Sequence, residues 1–300
     1  MKKLSTVFAL LVSAFVFESG AVAAAVTLET APTKFVDAGS THFAYRIIGT
    51  KTGVPLVLLQ HFTGTMDYWD PAVVNGLAKE REVIVFDNTG VGASSGKVPD
   101  NVEQMSDDAF AFINALGLHQ VDLLGYSLGG MLAQKLAAQH PDLVRKVILA
   151  NTAHQGGGND LMKVLNDAMS QKTYPDPRMV LFFTKSESSI EAGKAFLKRT
   201  SARQKDRDPE AGPEVANAQA KAIIVFSTTQ DSSNKLLSAI IQPVLIVTGS
   251  NDTMLPTDSS YAMFRILKNA QLVAYPDSNH GAIFQYHDRF VTEANDFLKR

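Results

Sequence analysis

Ser127 stands at the centre of the pentapeptide Gly-Tyr-Ser-Leu-Gly at 125–129. An apolar run, 121–124, precedes this pentapeptide, and a helical pattern follows it. A serine on a sharp strand-to-helix turn is well exposed to a substrate, and glycines two residues away on either side let the strand and the helix approach closely. The pentapeptide alone occurs by chance in ordinary turns, but this context favours Ser127 as a nucleophile.

Two further residues could activate this serine. A serine hydroxyl is a weak nucleophile unless a base removes its proton, and that base must be oriented by an acid. Asp252 follows the apolar run 244–248, and His280 follows the run 271–275. Loops after parallel strands meet at one edge of the sheet, so we predict that Ser127, His280 and Asp252 converge. Asp258 and Asp277 are the alternative acids, and the other six histidines are weaker candidates for the base.

The elements that must position these residues alternate from residue 33 onward. Short β-branched runs are followed by helical patterns, which is typical of a largely parallel sheet covered by helices. We predict an α/β fold with eight strands, at 34–37, 43–48, 56–60, 83–86, 121–124, 146–150, 244–248 and 271–275. The clearest helical patterns are at 102–116, 129–139, 259–267 and 288–298.

The alternation breaks at residues 151–242, where the sequence predicts a helical insertion. Several stretches there are amphipathic, and a charge-dense, proline-containing connector separates them. The predicted helices are at 160–169, 178–183, 189–199 and 213–226. We therefore predict a core formed by 26–150 and 243–300 and a cap or lid at 151–242, with the glycines at 156–158 as a hinge.

The first 25 residues have the layout of a secretory signal. Lys2 and Lys3 precede an apolar run at 4–17, and small residues follow at 21–25. The run falls short of the roughly 20 residues that a membrane-spanning helix needs. We predict a signal peptide at 1–25 and a secreted or periplasmic protein with no stable membrane span after cleavage; an uncleaved anchor is the alternative.

The composition excludes several classes of protein. With 45% hydrophobic and 19% charged residues and a net charge of −2 over 300 residues, the chain is typical neither of a disordered protein nor of one that binds nucleic acid. It has no cysteine, which excludes disulfides, thiolate metal sites and a cysteine nucleophile. The histidines do not cluster as metal ligands do. The stretch 86–96 lacks the spacing of a nucleotide-binding loop, so no cofactor is expected.

Together these motifs resemble the α/β-hydrolase superfamily. The resemblance rests on the order Ser127, Asp252, His280, on the turn at 125–130, and on the segments Gly-Ser-Asn-Asp at 249–252 and Ser-Asn-His-Gly at 278–281. It covers about 33–300, and the insertion lies where that family carries its cap. It implies the α/β-hydrolase fold, with no metal and no cofactor.

The resemblance also interprets the segment at 59–70. In family members this loop begins with a His-Gly pair, and the residue after the histidine donates one N–H to the oxyanion. Here Phe62 replaces that glycine, and Leu128 would supply the second N–H. The phenyl ring is expected to narrow the acyl site. The other expected pocket residues are His61, Trp69, Tyr126, Phe182 and Phe183, with packing of the cap onto the sheet as the alternative role of the cap phenylalanines.

The implied activity is hydrolysis of small, rather hydrophobic carboxylic esters through an acyl-enzyme. A serine excludes the carboxylate-nucleophile chemistry of haloalkane dehalogenases and most epoxide hydrolases. A lactonase, a perhydrolase similar to cofactor-free haloperoxidases, a carbon–carbon bond hydrolase and a surface-active lipase remain alternatives, as does a non-catalytic binding protein on the same fold. The expected partner is a small-molecule ester or lactone, with no nucleic acid; the sequence does not indicate an oligomeric state.

Overall fold

The computed structural model describes residues 26–158, 161–171 and 173–300. The predicted signal peptide at 1–25 lies outside the described residues, and so does Asp160, where one cap helix was predicted to begin. The strands are β1 (Lys34–Ala38), β2 (Thr41–Ile48), β3 (Leu56–Leu59), β4 (Val83–Phe86), β5 (Val121–Tyr126), β6 (Val144–Ala150), β7 (Val244–Gly249) and β8 (Ala270–Tyr275).

These strands form one sheet in the order β1-β2-β4-β3-β5-β6-β7-β8. β1 and β2 form an antiparallel hairpin, β2 pairs antiparallel with β4, and all later pairs are parallel. Every residue of β3, β4, β5 and β7 is buried, because helices cover both faces of a parallel sheet. The predicted fold class, a mostly parallel eight-stranded sheet flanked by helices, is confirmed.

Six helices belong to the chain segments that surround the sheet. They are α1 (Pro71–Ala78), α2 (Val102–Ala115), α3 (Leu128–Gln139), α9 (Thr257–Ile266), α10 (Ala282–Gln285) and α11 (His287–Lys299). The sequence prediction missed α1, although it has a readable start: Pro71 is its first residue, and the Asp70 carboxylate caps it by accepting the Ala72 N–H at 2.9 Å.

The segment between β6 and β7 contains helices and no strand among its described residues. It holds α4 (Leu161–Ser170), α5 (Arg178–Phe182), α6 (Glu187–Thr200), α7 (Pro213–Thr228) and α8 (Lys235–Ser238). Phe196 and Phe226 are buried here, and the Phe196 ring stacks on Phe284 of α10 at 4.7 Å between centroids. The Phe196 side chain therefore packs the insertion onto the core, and Phe226 is buried beneath the insertion's surface. No helix in the described parts of the chain is long and apolar enough to cross a membrane.

Hydrogen bonds from arginines to buried carboxyl groups also attach the insertion to the core. Arg46 of β2 donates to Asp67 at 2.6 Å and to Asp208, in the connector between α6 and α7, at 2.8 Å. Arg199 of α6 donates to Asp70 through two bonds of 2.6 and 2.7 Å. Burial, followed by the charge of nearby Asp87, raises the pKa of Asp208 to about 8. At neutral pH the Asp208 carboxyl therefore holds its proton, so the connector is attached to β2 through a buried hydrogen bond from Arg46.

Candidate active site

Ser127 occupies the turn between β5 and α3 with φ +55° and ψ −118°. A non-glycine residue held at such a backbone conformation costs of order 1–3 kcal/mol. The glycines on either side make the turn possible: a Cβ on Gly125 would lie 2.4 Å from the Gly129 carbonyl oxygen, and one on Gly129 would lie 1.9 Å from the Leu59 carbonyl oxygen. The strained turn therefore requires glycine at both positions and aims Ser127 away from the sheet.

The three residues predicted to converge do lie together. His280 Nε2 is 2.9 Å from Ser127 Oγ, and His280 Nδ1 is 2.9 Å from Asp252 Oδ2 and 3.1 Å from Oδ1. All three side chains are buried. An ionised carboxylate only accepts hydrogen bonds, so Nδ1 carries the proton and the Nε2 lone pair faces the serine hydroxyl. This geometry lets the serine proton pass to the histidine.

The Asp252 carboxylate has several donors besides His280. Its Oδ1 accepts the N–H groups of Met254 and Leu255, each at 3.0 Å, and its Oδ2 accepts Asn151 Nδ2 at 3.0 Å. Asn151 directly follows β6 and has a left-handed φ of +45°, which asparagine tolerates better than most residues. Sequence reasoning missed Asn151; an asparagine immediately after a buried strand was the only available signal.

Neighbouring groups fix the loop that carries His280. Asn279 Oδ1 accepts the N–H groups of both His280 and Thr253, each at 2.9 Å, and so joins the loops after β7 and β8. The Tyr126 hydroxyl donates to the His280 carbonyl oxygen at 2.9 Å. The residue beside the proposed nucleophile therefore also holds the base in place.

The alternative acids lie elsewhere. Asp258 is exposed in the first turn of α9. Asp277 accepts hydrogen bonds from Thr184 Oγ1 at 2.7 Å and Ser186 Oγ at 2.5 Å, so it connects the insertion to the core. Of the other histidines, His154 contacts a serine, with Nδ1 at 2.8 Å from Ser259 Oγ. That serine lies within α9 and has no strained turn to present it.

The loop after β3 carries Phe62, the first of the two predicted oxyanion donors. The N–H groups of Phe62 and Leu128 have no hydrogen-bond partner in the described part of the chain. His61 Nδ1 lies 2.8 Å from the Phe62 carbonyl oxygen, so this nitrogen must carry the proton. Burial lowers the pKa of His61 to about 3, and the ring is therefore neutral. A neutral His61 can act as a fixed donor that orients the loop.

A cavity of about 470 Å³ opens onto Ser127 and His280. Of the predicted pocket residues, His61, Phe62 and Phe182 lie in its wall. The other lining residues are Thr63, Tyr68, Leu165, Pro175, Asp176, Pro177, Arg178, Leu181 and Met254. Most of this wall is apolar, as in ligand pockets generally.

Three predicted pocket residues lie outside this wall, which corrects the assignment made from sequence. Trp69 and Tyr126 are fully buried and pack against each other with ring centroids 6.1 Å apart. Phe183 lines a separate cavity with Met179 and Val180. The side chain of Phe183 leaves the wall because α5 ends at Phe182 and the chain becomes extended at the next residue.

The wall contains one ion pair that sequence reasoning missed. Arg178 Nε and Nη2 donate to the Asp176 carboxylate at 3.0 and 2.6 Å, and the guanidinium lies over the Tyr68 ring at 4.4 Å from its centroid. Asp176 and Arg178 lie two residues apart at the start of a short helix, and nothing in that pattern indicated that their side chains line a cavity. The two charges compensate each other, so this ion pair adds no net charge to the cavity wall.

The model of a known family matches most of this chain. It describes the α/β-hydrolase fold and matches residues 54–285. The chain belongs to this family. The α/β hydrolases are hydrolases of small molecules, and the resemblance found in the sequence is thereby confirmed.

Individual α/β hydrolases are similar over nearly the whole chain. An α/β-hydrolase fold protein from Chitinophaga pinensis is 40% identical with a TM-score of 0.86, over 91% of this chain and 99% of that one. A candidate carbamate hydrolase, RutD, from Rhizobium rhizogenes is 24% identical over 86% of this chain and 97% of that protein. An enol-lactonase from Burkholderia xenovorans has a TM-score of 0.71 over 89% and 100%, and at 19% identity it shows the fold alone.

Proposed function

We propose that this chain is an exported serine hydrolase that cleaves carboxylic esters of small, rather apolar substrates. One observation carries the proposal: Ser127 Oγ lies 2.9 Å from His280 Nε2 at the wall of a largely apolar cavity of about 470 Å³. Among the described residues, the N–H groups of Phe62, which lines this cavity, and of Leu128, next to Ser127, have no hydrogen-bond partner. A nucleophile, a base and oxyanion donors are the groups that acyl transfer needs.

The reaction proceeds in two halves. Ser127 Oγ attacks the ester carbonyl while His280 Nε2 takes its proton, and the carbonyl oxygen becomes an oxyanion held by the two N–H groups. The alcohol leaves with the proton from His280, and an acyl-enzyme remains. Water then attacks the acyl carbon, His280 accepts its proton, and the acid is released as Ser127 recovers its hydrogen. Asp252 stabilises the protonated imidazole throughout.

The cavity wall supports an uncharged ester of modest size. Its lining is mainly apolar, and its ion pair, Arg178 with Asp176, carries no net charge. Carbamates and lactones contain a carbonyl that the same serine would attack. Because RutD is described as a carbamate hydrolase and another similar protein is an enol-lactonase, both substrate classes should be compared with esters. The other chemistries that share this site, perhydrolysis and carbon–carbon bond cleavage, differ in the bond presented to Ser127.

A panel of substrates tests the proposal. Esters from acetyl to octanoyl, lactones of matched size and carbamates with the same leaving group are compared for kcat/KM. Short-chain esters should be cleaved best, and a fluorophosphonate probe should label the wild-type protein. Carbamates or lactones cleaved much faster than every ester would replace the ester assignment.

Two serine variants show whether Ser127 is responsible. Ser127→Ala should lose both hydrolysis and labelling. Ser259→Ala is the matched control, because Ser259 also contacts a histidine at 2.8 Å, and it should keep both. Absence of labelling in the wild-type protein would favour a non-catalytic binding protein instead.

Export is supported by the sequence of residues 1–25, where two lysines, an apolar run and small residues follow one another. N-terminal sequencing of protein recovered from outside the cytoplasm tests it. A mature chain that begins near Ala25 is the expected result. Recovery of protein that still begins at Met1 would contradict cleavage.

A further inference from the structure

Gln219 connects the insertion to the proposed oxyanion loop. It lies on α7, and its Oε1 accepts the N–H of Thr63 at 2.6 Å across 156 positions of sequence. Its side chain is fully buried. Thr63 directly follows Phe62, the proposed oxyanion donor. A side chain of the cap thus bonds to the backbone one residue from the reacting atoms.

This bond completes the fixation of one peptide group. The carbonyl oxygen of Phe62 accepts from His61 Nδ1 and from Thr63 Oγ1, each at 2.8 Å. The N–H of the same peptide group, that of Thr63, bonds to Gln219. Fixing both ends of this peptide plane also restricts the orientation of the preceding peptide plane, because the two planes share the Phe62 α-carbon. That preceding plane carries the Phe62 N–H. Gly64 N–H holds the carbonyl of that preceding plane, that of His61, at 3.1 Å.

The loop requires support from outside itself. Thr63 has a φ of +58°, and this left-handed region is strained for a β-branched residue. Hydrogen bonds that form only in this conformation offset the strain. Within the loop, Gln60 bonds to the His61 N–H and to the Thr65 carbonyl oxygen. The Thr63 N–H instead obtains its partner from the cap.

The orientation of the Gln219 amide is determined by its neighbours. The Thr63 N–H is a donor, so the amide oxygen must face it. Gln219 also lines a cavity of about 10 Å³ with Asn88 and Thr89, which has room for about one water. Each of these three residues has a buried polar atom with no protein partner among the described residues. A polar environment on that side suits the Gln219 amide nitrogen.

We propose that Gln219 is a positioning residue that holds the oxyanion donor of Phe62 in line with that of Leu128. The inference rests on the proposed function and deepens it. Its consequence is that full activity requires α7 to be seated on the core, because displacement of α7 releases the Thr63 N–H. The cap therefore contributes to the chemical step as well as covering the cavity.

Matched glutamine variants test the proposal. Gln219→Met keeps the length of the side chain and removes the acceptor, whereas Gln219→Glu keeps an acceptor. Gln242→Met is the control, since Gln242 is also buried and also has one hydrogen bond to a backbone group, the Ala137 carbonyl oxygen, at 2.9 Å. Measurements are kcat, KM, the inhibition constant of a trifluoromethyl ketone that forms an oxyanion on Ser127, and the thermal midpoint.

Gln219→Met should lower kcat about tenfold to hundredfold, because complete loss of an oxyanion donor costs about 10²- to 10³-fold. KM should stay within about twofold of wild type, and the ketone should bind more weakly by about the same factor as kcat falls. Gln219→Glu and Gln242→Met should stay within about threefold in kcat. A kcat of Gln219→Met near that of wild type, or an equal loss in Gln219→Glu, would overturn the proposal.

Hydrogen exchange separates this inference from the proposed function. Exchange at the Thr63 amide should accelerate about tenfold or more in Gln219→Met and remain unchanged in Gln242→Met, whether or not the protein hydrolyses esters. A wild-type protein that fluorophosphonate leaves unlabelled contradicts the proposed function. Unchanged exchange at Thr63 in Gln219→Met contradicts the positioning role, even when Ser127 proves to be the nucleophile.

Discussion

The two sides of the proposed active site are held in different ways. On the side of the base, Asp252 accepts bonds from its own loop after β7 and from Asn151, the first residue after β6, while Asn279 accepts the His280 N–H. The loop that carries His280 also bonds to the insertion, since the Gly281 N–H donates to the Phe182 carbonyl oxygen at 2.8 Å. On the oxyanion side, the Thr63 N–H bonds to Gln219 of α7, in the insertion between β6 and β7. The difference teaches that the loops after β7 and β8 hold Asp252 and His280 largely through bonds between those loops, with the insertion bonded beside them, whereas the Thr63 N–H next to the proposed oxyanion donor has its partner in the insertion.

The largest expected effect lies on the base side. His280→Ala should lower kcat about 10⁴- to 10⁶-fold, because His280 Nε2 is the group hydrogen-bonded to Ser127 Oγ among the described residues and would take its proton. His154→Ala is the control: His154 contacts Ser259 at the same kind of distance, and its loss should leave kcat within about threefold. Steady-state rates with the preferred ester measure both. Retention of activity in His280→Ala would show that His280 is not the base.

Asp252→Asn should follow with a loss of about 10³- to 10⁴-fold in kcat. The asparagine amide nitrogen would face His280 Nδ1 as a donor and favour the tautomer whose Nε2–H points at Ser127. The variant should stay folded, as its thermal midpoint will show. Asp258→Asn, on the exposed first turn of α9, should behave as wild type. A similar loss in Asp258→Asn would mean that the acid had been assigned to the wrong residue.

Asn151→Gly should have an intermediate effect, about a tenfold loss in kcat. It removes the bond from Nδ2 to Asp252 Oδ2, while glycine adopts the left-handed backbone of this position without strain. Asn234→Gly provides the control, because Asn234 has a comparable φ of +52° next to α8. A larger loss of kcat in Asn151→Gly than in Gln219→Met would show that activity depends more on the support of Asp252 than on that of the loop after β3. No effect would show that the two backbone donors suffice for Asp252.

The smallest effect concerns the attachment of the insertion and its dependence on pH. The pKa of Asp208 is raised to about 8 from an ordinary value of 3.8, so between these values the folded protein holds a proton that the unfolded chain has released. The stability that this proton gives the folded protein is fully present below the unfolded pKa of 3.8 and is lost as the pH rises to the folded pKa of about 8. The thermal midpoint should therefore fall as the pH rises from about 4 to about 8, by this mechanism.

Asp208→Asn tests this mechanism, since asparagine does not titrate. The fall in the thermal midpoint with rising pH should be shallower in this variant than in wild type. Asp206→Asn, at an exposed neighbour in the same connector, should retain the wild-type slope. Equal slopes in all three proteins would show that Asp208 does not titrate in this range.

Much of the fold was predictable because its signals are local. The buried parallel strands consist of continuous apolar runs, and the long helices have a clear apolar period, so strands such as β4 at 83–86 were placed with their observed bounds. Short elements were missed. α10 spans only Ala282–Gln285, which is about one helical turn, and such a segment is too short to show a period.

The candidate site likewise has residues that the sequence could predict and residues that it could not. Ser127, Asp252 and His280 could be predicted because each follows a strand that ends at the same edge of the sheet, and their types restrict the chemistry. Arg178 and Gln219 could not, because each belongs to an insertion whose helices have no fixed position relative to the sheet until they pack. The pocket prediction for Trp69 failed for a related reason: an aromatic residue near the site was taken as lining, but it is fully buried behind it.

The sequence by itself determined the strand–turn–helix around Ser127, because the two glycines and the apolar run act within a few residues of the serine. It also determined the order of acid and base along the chain. Only the tertiary structure decided which side chains bond to the loop after β3. That choice depends on how α7 packs, and the bond from Gln219 to Thr63 joins residues 156 positions apart, a distance over which no local pattern in the sequence acts.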